Sequence, residues 1–173
     1  MRTPLTLIAL FLLIAAVALS LTVGDSPEAA ESELSWKSFD EGANLAVQQK
    51  KKMLVDIYTD WCGWCKKMDK EVYPHAKVKS VLESKFVVVK LNAESDNKIR
   101  YQGSSMSQRE FARAVGVTGY PATLFFDENL KPITLLPGYV KADNFAQILA
   151  FIGENHYKNK SYRDYLNSLS SLK

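Results

Sequence analysis

Both cysteines of this 173-residue chain lie in Trp61-Cys62-Gly63-Trp64-Cys65, directly after the apolar run 53–59 and directly before a lysine-rich, helix-forming stretch. A strand must therefore end and a helix begin within a few residues. Two thiols at i and i+3 close a small ring only where the first sits at the opening of a helix. There the unpaired backbone N–H groups and the helix dipole favour a thiolate. The spacing reads as a dithiol/disulfide switch in which Cys62 attacks and Cys65 resolves. Two blander uses stand beside it. A closed zinc site needs four N or S ligands, and His75 and His156 are the only histidines. A purely structural bridge would close too short a loop to restrain much of the unfolded chain. Haem attachment is excluded, because Lys66 stands where a histidine is required.

Composition suits one globular domain with an appendage: 47% hydrophobic and 24% charged residues, with a formal net charge of +3. Arg2 followed by the uncharged, apolar run 5–23 reads as a secretory signal peptide over residues 1–24. At about nineteen residues the run is also at the lower limit for an uncleaved membrane anchor. Either reading places the rest of the chain outside the cytoplasm, periplasmic or otherwise extracytoplasmic, where disulfide chemistry is permitted. Two cysteines in one CxxC suit exchange better than stapling, since stapled domains carry several widely spaced bridges. The mild charge gives no argument for nucleic acid, and Lys50-Lys51-Lys52 reads as a solvated helix end.

Residues 25–34, with a proline and several acids, read as a linker, 35–156 as the domain and 157–173 as a C-terminal helical extension. Phe39, Ala43, Ala46 and Val47 recur at helical spacing. Residues 54–58 and 86–91 are continuous apolar runs joined by a helical connection, which predicts a parallel pair of strands with a crossover helix. Residues 93–107 are polar and read as a loop before a helix over 108–115. Residues 122–126 and 133–136 predict an antiparallel edge hairpin around Asp127-Glu128-Asn129, and 142–153 a closing helix. Ser161 is placed as the N-cap of a last short helix with Tyr162, Tyr165, Leu166, Leu169 and Leu172 on one face.

The strand 54–58, the run Asp60 to Lys66, Lys90-Leu91-Asn92, Gly119-Tyr120-Pro121-Ala122-Thr123 and Pro137-Gly138 together resemble the thioredoxin superfamily, over roughly residues 35–155. Within it they look most like exported bacterial members, such as the C-terminal domain of DsbD thiol-reductant transporters and small periplasmic thioredoxins. The resemblance implies an α/β thioredoxin fold: a central mixed β-sheet flanked by helices, here with an extra C-terminal helix. It implies that Asp56, six residues before Cys62, is buried behind the second cysteine and handles its proton, with a raised pKa suited to a general base. Lys90 matches a family lysine near that acid, though a strand-end lysine can equally point to water. Pro121 matches the family's cis-proline, which leaves Tyr120 free to present its backbone to an extended substrate. Trp61, Gly63, Trp64, Gly119 and Tyr120 would surround the sulfurs as a docking surface. No cofactor is implied beyond the Cys62–Cys65 disulfide, and no metal.

The implied activity is that of a protein-disulfide reductase acting on extracytoplasmic proteins. The reducing direction is favoured because the stretch between Cys65 and Pro121 is too short for the helical subdomain of DsbA-type oxidases. A reductant in an oxidising compartment needs an electron donor, so a membrane thiol transporter is the implied partner. Trp64 replaces the proline common between the family's cysteines, and 93–107 is longer than in lean members; an oxidase or isomerase direction, a polypeptide-holding chaperone role and metal delivery through the two thiolates are the alternatives.

Overall fold

The computed structural model describes residues 33–171. The proposed signal or anchor segment, most of the linker, and Leu172 lie outside these residues. Among the described residues, five helices of seven or more residues, several shorter turns and six strands follow one another along the chain. They are α1 (Phe39–Gln49), β1 (Lys52–Tyr58), α2 (Gly63–Lys67), α3 (Ala76–Lys85), β2 (Phe86–Asn92), β3 (Lys98–Tyr101), β4 (Ser104–Ser107), α4 (Gln108–Ala114), β5 (Ala122–Phe126), β6 (Pro132–Pro137), α5 (Ala142–Gly153) and α6 (Tyr162–Ser170). The main sheet runs β2-β1-β5-β6. β1 pairs parallel with β2, while β5 is antiparallel to both β1 and β6. A mixed sheet flanked by helices is the architecture expected above, and β1, which leads into the CxxC, is one of its two inner strands.

β1 is covered on both faces, and its alternation sorts the core into two layers. Met53, Val55 and Ile57 meet Phe39, Ala43, Ala46, Val89, Phe111 and Phe126 on one side. Leu54 meets Met68, Val72, Val88, Phe125, Phe145 and Leu149 on the other. Asp56 alternates in step with Leu54, so its carboxylate belongs to this second, apolar side. α1 lies so close to β2 that a Cβ on Gly42 would come 2.2 Å from Val89 Cγ2; glycine alone fits there. Ahead of α1, the lead-in docks on the outer edge of β2: the Lys37 N–H donates to Val88 O at 2.9 Å, and the Lys90 N–H donates to Lys37 O at 3.1 Å.

Two expectations are corrected. Residues 93–107 are not simply a loop, since 98–107 form a β-hairpin with Ile99 opposite Met106. Its two-residue turn, Gln102-Gly103, has positive φ at both positions, 50° and 79°, the backbone that matches the twist of a hairpin. Ile99 is buried in the first core layer, which is why a segment so polar by composition is held flat. The lysine run is not a solvated helix end throughout. Lys50 caps α1 in the left-handed region, and Lys51 Nζ donates to Glu83 O at 2.9 Å. Lys52 belongs to β1 and is only 6% exposed, with Glu128 at 3.9 Å from its ammonium.

The C-terminal segment folds back onto α5 through aromatic faces, with Phe151 at 5.2 Å from Tyr162 and 5.3 Å from Tyr165, centroid to centroid. Ser161 caps α6 by accepting the Asp164 N–H at 3.1 Å, as its sequence pattern suggests. Among the described residues no helix is long and apolar enough to cross a membrane.

Candidate functional site

At the end of β1 the chain turns through Thr59, Asp60 and Trp61, and the Cys62 N–H donates to Thr59 O at 3.1 Å. Cys62 has extended backbone, φ −70° and ψ 104°, and is the N-cap of α2. Its sulfur does what a serine or aspartate oxygen does at other helix starts: Cys62 Sγ accepts the Cys65 N–H at 3.0 Å. Cys62 and Cys65 are joined as a disulfide, with Cα atoms 5.3 Å apart, and both are buried. The helical run continues through a π-helical turn, Met68–Val72, and ends at Tyr73, just before Pro74. Cys65 and Asp69 are four apart on this run and so lie on one side of it, Cys65 buried and Asp69 half-exposed at the edge.

Around the sulfurs the surface is aromatic and open. Trp61 is 66% and Trp64 56% exposed, an unusual display for large apolar rings. Trp61 is held rather than loose: its indole N–H donates to Glu94 Oε1 at 3.0 Å, and its ring stands edge-on to Tyr120 at 6.0 Å. Trp64 leans on Tyr139 at 5.2 Å, and the Lys67 ammonium lies over both rings. Gly63 and Gly119 are exposed. The Tyr120–Pro121 peptide bond is cis, and Pro121 is buried with its carbonyl accepting the Gly138 N–H at 2.8 Å.

Beneath the helix sits a buried charge cluster. Asp56 is 1% exposed. Its Oδ2 accepts from Lys90 Nζ at 2.5 Å, in a strand register that sets Asp56 directly beside Lys90. The same ammonium donates to Asp69 Oδ1. Lys90 thus points inward, toward the acid and not simply to water. Burial raises the Asp56 pKa above the usual carboxylate range, against the lowering pull of Lys90. Burial also opposes the Lys90 charge, but Asp56 and Asp69 outweigh it and hold the lysine's pKa above its ordinary value. Burial, reinforced by Asp56, pushes the Tyr73 phenol well up. Asp56 Oδ1 and the Tyr73 hydroxyl are buried without a hydrogen bond to the described residues. Asp56 is thus a buried carboxyl held through one oxygen by Lys90, with the Tyr73 phenol close by.

Trp36, Asp69, Tyr73 and Glu94 were not evident as site residues in the sequence. Asp69 had one available signal, its place four residues after Cys65 on a helical run. Trp36 and Glu94 reach the site from distant parts of the chain and carry no local pattern. Among the described residues, no group of three or more His, Cys, Asp or Glu side chains gathers to hold a metal ion.

A helix-capping cysteine bonded to its i+3 partner, on a mixed sheet with a buried acid below, defines a dithiol/disulfide domain. Residues 39–153 match the family model of the thioredoxin-like domain, and the chain belongs to that family. It carries the Cys62-x-x-Cys65 pair of the thioredoxin-like disulfide oxidoreductases. Over 103 residues it is 30% identical to a thiol:disulfide interchange protein DsbD of Actinobacillus pleuropneumoniae, a match covering 58% of this chain and 16% of that protein. It is 32% identical over 104 residues to protein disulfide isomerase-like 5-3 of Oryza sativa, covering 60% of this chain and 21% of the relative. The chain thus spans only a small part of these relatives' length. A thioredoxin-fold protein from Helicobacter pylori superposes with a TM-score of 0.60 at 22% identity, over 72% of this chain and 88% of the other, which shows the shared fold.

Proposed function

We propose that this protein is an extracytoplasmic thiol:disulfide oxidoreductase that reduces disulfides of other proteins. The observation that carries the reading is the Cys62 sulfur at the helix N-cap, accepting the Cys65 N–H while bonded to Cys65. In the reduced form that N–H and the helix N-terminus favour the Cys62 thiolate. The thiolate attacks one sulfur of a substrate disulfide; that S–S bond breaks, and the other substrate sulfur leaves as a thiolate. Asp56 accepts the Cys65 proton, and the Cys65 sulfur attacks Cys62 Sγ, releasing the second substrate sulfur. The protein dithiol ends as a disulfide and the substrate disulfide as two thiols: the proton held by Asp56 passes to one departing thiolate, and the other takes from water the proton that Cys62 gave up on forming its thiolate. Trp61, Gly63, Trp64 and Tyr120 form the docking surface, and the buried Pro121 supports Tyr120 from the next position. The Tyr120 ring stands against Trp61, and an extended substrate segment would pair with the Tyr120 backbone next to this aromatic surface.

Export rests on the apolar segment within residues 1–24, and the electron donor on the need to re-reduce Cys62–Cys65 in an oxidising compartment. A membrane thiol transporter fits that need. The similarity to part of a thiol:disulfide interchange protein supports the exchange chemistry, while the reducing direction rests on the short connection between Cys65 and Pro121. Equilibration of the pair with glutathione tests the direction. A potential near about −270 mV is expected, and one near about −120 mV would make the protein an oxidant. The exposed Trp61 and Trp64 favour one second reading, a polypeptide-holding module in which exchange is incidental. That reading requires a Cys62→Ala variant to protect unfolded clients as well as the natural chain does.

A further inference from the structure

Lys90 carries three N–H donors. Two are taken by Asp56 Oδ2 and Asp69 Oδ1, and the third has no oxygen partner among the described residues. Three aromatic rings stand around it instead: Trp36 with its centroid 4.7 Å from Nζ, and Tyr58 and Tyr73 each at 5.2 Å. An ammonium over ring faces is attracted to their negative quadrupole, most strongly to indole.

Two of the rings belong to the body of the domain. Tyr58 ends β1, and Tyr73 is buried in the second core layer. Trp36 differs. It stands ahead of α1, outside the residues 39–153 that define the family domain, and is brought in by the lead-in docked on β2. That docking grips Lys90 twice, because the Lys90 backbone N–H donates to Lys37 O while the Trp36 ring lies over the Lys90 ammonium. Trp36 is half-buried and stands edge-on to Tyr73 at 4.9 Å, so its ring is fixed on both sides.

The two carboxylates pull the ammonium in different directions. Asp56 is fully buried, whereas the Asp69 side chain is 48% exposed and leads toward solvent. We propose that Trp36 is a positioning residue for the buried acid: its ring holds the Lys90 ammonium inward against Asp56, so the lead-in segment sets how firmly Asp56 binds its proton. Without the ring, Lys90 relaxes toward Asp69 and water, and Asp56 loses its nearest compensating charge. The groups facing Asp56 are Lys90 from β2, Asp69 from the π-helical turn, Tyr73 beyond it and, from β5, the uncharged Thr123 opposite in register. Among these only Lys90 is positive, so its withdrawal shifts the Asp56 titration upward.

The functional meaning rests on the reading of Asp56 as the proton partner of Cys65, but the test needs no turnover. The Asp56 carboxyl is followed by carbon-13 NMR across pH in the full chain with the disulfide closed. Trp36→Leu is expected to raise its midpoint by about half a pH unit or more, roughly a threefold gain in proton affinity. Trp36→Phe, which keeps a ring face, should give a smaller rise of the same sign, and it carries the test alone if Trp36→Leu does not fold. In a Lys90→Met background the Trp36 substitution should have no further effect. An unchanged or lowered midpoint overturns the proposal, as does an equal rise without Lys90. A Trp36 that serves packing alone would lower stability and leave the midpoint in place. An inactive Cys62 variant or a failed turnover assay bears on the exchange reading and not on this titration.

Discussion

Cys62→Ser is expected to lower the rate of protein-disulfide reduction by on the order of 10³-fold or more, to the level of the added reductant alone. The substitution keeps the cap, because a serine oxygen accepts the same N–H that Cys62 Sγ accepts from Cys65. What it removes is the nucleophile, since a hydroxyl at a helix N-terminus remains protonated near neutrality where a thiol does not. The fold should persist: Cys62 closes a ring of very small span, and the core layers under it rest on Leu54, Val88, Phe125 and their neighbours. The check is dithiol-driven reduction of a disulfide-bonded protein substrate, followed alongside circular dichroism. Loss of activity with an unchanged spectrum assigns the effect to chemistry. Activity within a few-fold of the natural chain would move the reaction away from Cys62.

Asp56→Asn is the second large effect, and it acts on two observables in opposite directions. Turnover should fall by about 10²-fold near neutrality, the usual contribution of a placed general base, because Cys65 then resolves the mixed disulfide without a proton acceptor. Stability should rise at the same pH. The sign follows from the raised pKa of Asp56, caused first by burial and moderated by Lys90. Below the ordinary carboxylate pKa the acid is protonated in both folded and unfolded chains, and its burial is least costly. As pH climbs from there through the folded-state pKa, the unfolded chain ionises first, so stability is lost across that window and stays lost above it. Asparagine removes the loss, and Asp69 still pairs with Lys90. Urea unfolding at about pH 4 and about pH 8 should therefore show the variant's advantage mainly at the higher pH. An advantage independent of pH would trace the effect to packing instead of charge.

Much of this arrangement could be read from residue order. The continuous apolar runs gave β1 and β2 and their parallel pairing, and CxxC at the strand end gave a helix start, because only a helix opening closes an i, i+3 pair of thiols. Asp56 was identified through the resemblance to the thioredoxin superfamily, and its all-apolar neighbours argued against a solvated position. The hairpin β3–β4 was hidden by its serines, although Ile99, Tyr101 and Met106 keep the alternation of a strand and Gly103 marks the turn. Lys52 was misread because a run of three lysines suggests a uniform environment, while the chain changes from a left-handed cap to a central strand within those three residues. Trp36 and Glu94 stayed invisible for a different reason. Each acts on a side chain far away in sequence: Glu94 meets Trp61 once β2 has paired with β1, and Trp36 meets Lys90 once the lead-in has docked on β2.

The central claim, that Cys62 attacks and Cys65 resolves, is tested most directly by trapping the intermediate. The Cys65→Ser protein, reduced and mixed with a disulfide-bonded peptide, should accumulate one covalent adduct per chain, located at Cys62 by peptide mass mapping and released by dithiol. If the adduct fails to form, while the reduced Cys62→Ser protein captures the same peptide on Cys65, the roles assigned to the two sulfurs are contradicted.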